Sequence, residues 1–259
     1  MSFLQRCTRF ATLAALTIAT GASAQISSIN SAVIQSRVFN DVPGATFSGI
    51  NSYPSFIALS ESGVSQATGF ANRDVWRFSN NGSAPYSFAH NDYFTASMTL
   101  TLTGNPITPR KEGGWLFSTA SNGDIQFIVN TDGHEVVQFG GISFYSFNAN
   151  NGITYNSGTP ITLGLSYFLD SNNKSALQFS ANGVASPVFE FGPTVGSGAL
   201  DIGDGSTLGG YLQVVNDPAS SGNSGSALFQ NITITPEPSA YALFGCGALA
   251  LAAFRFRRS

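Results

Sequence analysis

Apolar and polar residues alternate with a period of two along much of this chain. From Phe94 to Thr103 the even positions read Phe94, Ala96, Met98, Leu100 and Leu102, and the odd ones Thr95, Ser97, Thr99, Thr101 and Thr103. Side chains along a strand point to opposite faces in turn, so this pattern sets one face on a core and the other in water. The period returns at Ile125, Phe127 and Val129, at Ile161, Leu163, Leu165, Tyr167 and Leu169, and at Ile232 and Ile234 opposite Thr233 and Thr235. No amphipathic helical stretch of useful length interrupts it.

Turn chemistry punctuates the strands. Asn-Gly stands at 81–82, 122–123, 151–152 and 182–183, and Asp-Gly at 132–133. These dipeptides accept positive φ at low cost and predict tight hairpins. Three stretches read as longer loops: Thr103 to Gly114, Gly192 to Gly205 and Asn216 to Gly225. Strand patterns flank each of them, so they join strands rather than domains. Many short strands without a fixed repeat predict an all-β fold, a two-sheet β-sandwich of jelly-roll type over residues 25–235.

The two ends break the pattern. Arg6 and Arg9 precede an apolar run from Phe10 to Ala19 and an Ala22-Ser23-Ala24 cleavage site, which together predict a secretory signal peptide over 1–24. At the other end Pro236-Glu237-Pro238 leads into an uncharged, mostly apolar run from Ser239 to Phe254, followed by Arg255, Arg257 and Arg258. As a helix that run covers roughly 24 Å, short but usable for a bilayer, with the arginines as its cytoplasmic flank.

Composition narrows the class. Abundant Ser, Asn and Gly with little charge point toward disorder, but 22 Phe supply a packable core. Both cysteines, Cys7 and Cys246, fall in the predicted targeting segments, so the body is held without a disulfide. Arg37, Arg73, Arg77, Arg110, Lys111 and Lys174 face thirteen acids within 25–235, leaving that body at −7. Such a surface repels phosphate backbones and argues against nucleic acid, while neutral glycans stay compatible.

The tail, with its Pro236-Glu237-Pro238-Ser239 start, apolar helix and basic terminus, resembles the PEP-CTERM sorting signal of exported bacterial proteins. The resemblance covers residues 236–259. It implies Sec export, transient inner-membrane anchoring through 239–254 and recognition of Pro236, Glu237 and Pro238 by an exosortase, a membrane-embedded cysteine protease. Cell-surface or extracellular release follows, often among bacteria that make exopolysaccharide. The strand-turn succession from Tyr167 to Phe191, with Leu208-Gly-Gly-Tyr-Leu-Gln and Ala227-Leu-Phe-Gln-Asn-Ile, resembles concanavalin A-like lectin and glucanase sandwiches.

Candidate chemistry is sparse. The Glu-x-Asp-x-Glu strand of lectin-fold glucanases is absent, because Glu61, Glu112, Glu135 and Glu190 each stand alone. No Gly-x-Ser-x-Gly occurs, and His90 and His134 read as turn residues. Calcium is a candidate cofactor at Asp201 and Asp204, or at Asp170 with Asn172 and Asn173, although Asp and Asn also cap turns without metal. In Arg73-Asp-Val-Trp-Arg77-Phe78, alternation puts Asp74, Trp76 and Phe78 on one face and Arg73, Val75 and Arg77 on the other. Trp76, Trp115, Tyr145, Tyr155 and Tyr211 are each either core residues or rings for stacking on sugars. The expectation is a noncatalytic surface or matrix sandwich that binds polysaccharide. A ligand-free structural module and a secreted polysaccharide hydrolase with carboxylates from separate strands are the alternatives.

Overall fold

The computed structural model describes residues 26–192 and 200–237. Residues 1–25, most of the basic and apolar tail including Pro238, Arg255, Arg257 and Arg258, and part of the predicted 192–205 loop lie outside the described residues. Among the described residues no helix is long and apolar enough to cross a membrane.

The predicted all-β, two-sheet sandwich is present as two packed antiparallel sheets. The seven-stranded sheet runs β1 (Ser31–Asn40), β4 (Ala71–Ser79), β14 (Thr207–Val215), β6 (Lys111–Thr119), β7 (Gly123–Asn130), β8 (Val136–Phe139) and β9 (Tyr145–Ser146). The second sheet runs β12 (Val184–Ala185), β11 (Ser175–Ala181), β10 (Pro160–Leu169), β5 (Phe94–Asn105), β15 (Ser224–Pro236), β3 (Phe56–Ser62) and β2 (Thr46–Ser52), with β13 (Phe189–Glu190) also on β11. Neighbours in space are often distant in sequence: β14 sits between β4 and β6, and β15 between β5 and β3.

The alternating stretches form strands for the reason their pattern suggests. Along β5 the apolar positions are buried, and the Thr and Ser positions between them lie at the surface of the second sheet. Ile125, Phe127 and Val129 of β7 face the same core, as do Ile161, Leu163, Leu165 and Tyr167 of β10, while Leu169 ends that strand exposed. Between the sheets Trp76 meets Phe78 edge-on at 5.2 Å and Trp115 at 5.9 Å, and Phe78 stacks on Trp115 at 6.1 Å. Each such pair adds about 0.5–1.5 kcal/mol to what burial supplies. The Trp115 indole also donates across the sandwich to the Leu163 carbonyl at 3.0 Å.

Two turn predictions change. Gly123, Gly133 and Gly183 lie in strand-to-strand turns as expected, with Asn182 and Gly183 both at positive φ. Asn151-Gly152 instead ends a short helix, α1 (Phe147–Asn151), where Gly152 at φ 68° donates back to the Asn148 carbonyl. Asn81-Gly82 makes a bend that leaves β4 without pairing a next strand, because Ser79 and Asn81 side chains capture the backbone N–H groups of residues 81–84. In both cases a local side-chain or helical partner wins over the hairpin. The predicted loop from Thr103 to Gly114 is shorter than expected, since β5 extends to Asn105 and β6 begins at Lys111.

Candidate functional site

The outer face of the seven-stranded sheet carries an unusual set of side chains. Strands β4, β6 and β14 are buried on both faces, not on one. Their register aligns three rows of outward positions. One runs Arg73–Gln213–Glu112, a second Val75–Tyr211–Gly114–Ile128–Val137, and a third Arg77–Gly209–Leu116–Gln126–Phe139. The second row, with Leu116 and flanked by Phe139, makes a small apolar cluster separate from the main core.

The Gly209-Gly210 pair explains how large side chains fit on both faces at once. On the outer face Gly209 lies between Arg77 and Leu116, and a Cβ there would come within 1.7 Å of the Trp76 carbonyl oxygen. With no side chain in the way, the Arg77 guanidinium crosses β14 to donate to the Leu116 carbonyl at 2.6 Å and to the Ser118 hydroxyl at 2.8 Å. On the inner face a Cβ at Gly210 would meet Trp76 Nε1 at 2.4 Å. One glycine admits the arginine and the next the tryptophan.

Over these rows lies a groove of about 390 Å³ lined by Val38, Phe39, Phe70, Arg73, Arg77, Leu116, Asp124 and Gln213. Phe39 is 41% exposed and Phe70 57%, and their rings meet edge-on at 6.4 Å, forming an aromatic wall. The wall exists because β1 bulges. Pairing with β4 runs to Gln35↔Val75 and resumes at Phe39↔Arg73, so four steps on one strand match two on the other.

The two groove arginines differ from the other cations of the body. Arg37 pairs with Glu61, Arg110 with Glu112, Asp132 and Glu135, and Lys174 with Glu190. Lys111 is buried with its ammonium on the Pro106 and Pro109 carbonyls, and burial lowers its pKa to about 8. Among the described residues Arg73 and Arg77 have no carboxylate within ion-pair distance. Arg73 gives its Nε proton to Gln213 Oε1 at 2.8 Å and lies 5.2 Å over the Tyr211 ring; among the described residues its terminal nitrogens have no partner. Burial lowers Arg77 to about 10, Asp124 raises it in part and Arg73 lowers it further. Two like charges therefore share one groove.

Beneath them the polar groups form a chain. Gln213 Nε2 donates to Glu112 Oε2 at 3.2 Å, and Arg110 joins Glu112 to Glu135. Burial raises the Glu112 pKa against the pull of Arg110. Tyr211 is fully buried here, and among the described residues its hydroxyl has no hydrogen-bond partner. Burial and then the Glu112 charge push the phenol well above its ordinary value. Gln126 Oε1 is likewise buried and unpaired.

The predicted site residues fall in different places. Trp76, Trp115 and Tyr155 are buried, and the Tyr155 hydroxyl closes on the Leu102 backbone, so none of the three has a ring face to offer a sugar. Packing the two sheets needs those rings more than the surface does. Tyr211 is on the outer face but lies under Arg73, and half-buried Tyr145 donates to Asn151 near α1, away from the groove. Pro236 closes β15 opposite Phe94, and Glu237 is held by the Tyr93 carbonyl at 3.0 Å and by the Thr95 hydroxyl.

At the calcium candidates at least one oxygen of each aspartate is held by hydrogen bonds within the protein. Asp201 accepts from Gly203 N, Asp204 from the His90 backbone and ring, and Asp170 from Asn172 N and Lys174 N. Among the described residues no cluster of three or more His, Cys, Asp or Glu is placed to hold a metal. His134, at positive φ, bonds the Tyr155 carbonyl through its ring in an exposed turn.

Sequence reasoning put Arg73 and Arg77 on one face but gave them no role. It missed Gln213, although period two from Tyr211 places it on the same face. Phe39 and Phe70 carry no sequence signal, since only the β1–β4 pairing brings them together.

No protein-family model matches the sequence, and no curated protein does. Solved structures do match. An alginate lyase from Pseudomonas aeruginosa shares 17% identity over 70% of this chain and 82% of its own, with a TM-score of 0.51. An alginate lyase from Corynebacterium sp. (12% identity, 83% and 98% covered, TM-score 0.45) and carbohydrate-binding module CBM66 from Bacillus subtilis (13%, 76% and 97%, 0.40) also align. At this identity the first speaks for the fold alone, a concanavalin A-like sandwich, and the other two carry no argument.

Proposed function

We propose that this chain is an exported, noncatalytic surface or matrix protein whose sandwich binds an acidic polysaccharide along the groove of the seven-stranded sheet. One observation carries the reading: among the described residues Arg73 and Arg77 line the groove with no carboxylate within ion-pair distance, Arg73 with its terminal nitrogens free, beside an exposed aromatic wall. A guanidinium with free donors fits a carboxylate or sulfate group, and Phe rings fit the apolar faces of sugars. The Pseudomonas aeruginosa structure is an alginate lyase, which makes an acidic polysaccharide the first ligand to try. The body's −7 charge is offset locally, because two cations against one carboxylate, Asp124, line the groove where the polymer would lie.

The groove lining holds a single carboxylate, Asp124, whereas glycoside hydrolysis needs two flanking one bond. That favours binding over hydrolysis. The predicted signal peptide and the PEP-CTERM-like tail supply the route, through Sec and an exosortase. Affinity electrophoresis of the full chain in gels containing alginate, polygalacturonate or uncharged dextran tests the reading. Retardation by an acidic gel, weakened by added salt, is the expected result. Equal mobility in all three overturns it and leaves the ligand-free structural module.

A further inference from the structure

The groove wall is fastened from inside the sandwich. At the β1 bulge Arg37 takes φ 55°, and its backbone N–H leaves the ladder to donate to Asp74 Oδ1 at 2.8 Å. Asp74 projects from β4 into the space between the sheets, where Glu61 arrives from β3; both residues are at most 1% exposed. Arg37 Nε reaches Glu61 Oε1 at 3.2 Å, and its terminal nitrogens bind the Pro43 carbonyl at 2.9 Å and the Ala45 carbonyl. Asn72 completes the knot by exchanging bonds of 3.0 Å with the Val42 N–H and carbonyl. The residues that follow Arg37, Val38 and Phe39, form the groove wall.

The charges in this knot do not balance. One guanidinium, Arg37 from β1, faces two buried carboxylates, Asp74 from β4 and Glu61 from β3; Asn72 is the neutral neighbour. Asp74 Oδ2 has no hydrogen-bond partner. A buried, unpaired carboxylate oxygen beside a second carboxylate is costly, and one proton between the two acids removes most of that cost.

We propose that one proton shared by Asp74 and Glu61 fastens the Arg37 bulge, and that losing it frees the Val38–Phe39 wall of the groove. The sandwich then carries a pH-sensitive wall. The link to ligand rests on the groove being a binding site; the fastening itself does not.

The direction follows from the acids. Burial, offset by the Arg37 N–H and raised again by the Glu61 charge, lifts Asp74 to about 7, and burial raises Glu61 as well. An acid raised in the closed state stabilises that state fully below its ordinary pKa, near 4. The contribution shrinks as pH climbs and is gone above about 7.

Hydrogen exchange of the full chain between pH 5 and pH 9, read as protection factors at the Arg37 and Val42 amides, tests the fastening. In the unaltered protein protection falls by up to about tenfold per pH unit toward pH 7 and then levels off. Asp74→Asn keeps an acceptor for Arg37 without the charge, and its protection is flat with pH. Glu61→Gln does the same should Asp74→Asn not fold. Protection independent of pH in the unaltered protein, or an equal decline in both variants, overturns the proposal.

For the groove, the alginate Kd at pH 8 divided by that at pH 6 exceeds about threefold in the unaltered protein and is near one in Asp74→Asn. The same ratio in both forms overturns the coupling. Alginate that binds neither form at any pH defeats the groove reading, and exchange then decides the fastening alone.

Discussion

The outer faces of the two sheets obey the same backbone alternation and differ in almost everything else. On the second sheet the outward positions of β5 are Thr95, Ser97, Thr99, Thr101 and Thr103, matched by Ser166 of β10 and Thr233 of β15. Their hydroxyls pair with one another, as Thr95 does with Ser166 and Ser97 with Thr233, each at 2.9 Å. Along β5 that face is small-chained, with Leu228 and Gln230 of β15 opposite Thr101 and Thr99. The facing positions of the seven-stranded sheet hold arginine, glutamine, glutamate and tyrosine, packed on an apolar strip, with buried polar atoms left unpaired. A face that only meets water needs hydroxyls and little more. Unpaired polar atoms that are fully buried, such as the Tyr211 hydroxyl and Gln126 Oε1, set this face apart from one that only meets water.

Glycine substitutions should widen that contrast most. Gly209→Ala drives a Cβ into the Trp76 carbonyl of the next strand, which cannot move alone, and should lower stability by about 3 kcal/mol in urea unfolding. Gly164→Ala, on the other sheet, meets the Ser180 hydroxyl, which can rotate away, and should cost less than about 1 kcal/mol. Equal losses would mean that the faces are equally tight.

Arginine removal comes next. Arg77→Met strips donors from the Leu116 carbonyl and the Ser118 hydroxyl and should cost about 2 kcal/mol. Thr101→Ala on the opposite face should stay within about 0.5 kcal/mol by the same measurement. A neutral Arg77→Met would show that the guanidinium is held for its ligand alone.

The sequence pattern was most readable on the plainer face. β5 and β10 are covered on one side, so their alternation survives in the residue types and predicts both the strands and the core. β4, β6 and β14 are covered on both sides, and Gly113-Gly114 and Gly209-Gly210 erase the alternation where chains approach closely. Those strands carry the groove, so the part of the fold nearest the site was the hardest to read. The Arg73 and Arg77 spacing was visible. What makes it a candidate site was invisible: no carboxylate within ion-pair distance among the described residues, and a Phe39–Phe70 wall assembled by a bulge. Lys111 shows the same limit from the other side, a lysine in a polar loop pattern that folds to the interior on two proline carbonyls.

The two faces differ most sharply in which of them would take the ligand. Isothermal titration of the full chain with alginate oligosaccharide decides it, using Arg73→Gln for the groove and Thr101→Tyr to block the other face. Arg73 donates one side-chain bond and lies over Tyr211, so Arg73→Gln should change stability by no more than about 1 kcal/mol yet weaken binding about tenfold, the worth of a charge-assisted hydrogen bond. Thr101→Tyr should bind as the unaltered protein does. Binding lost in Thr101→Tyr and kept in Arg73→Gln would contradict the account.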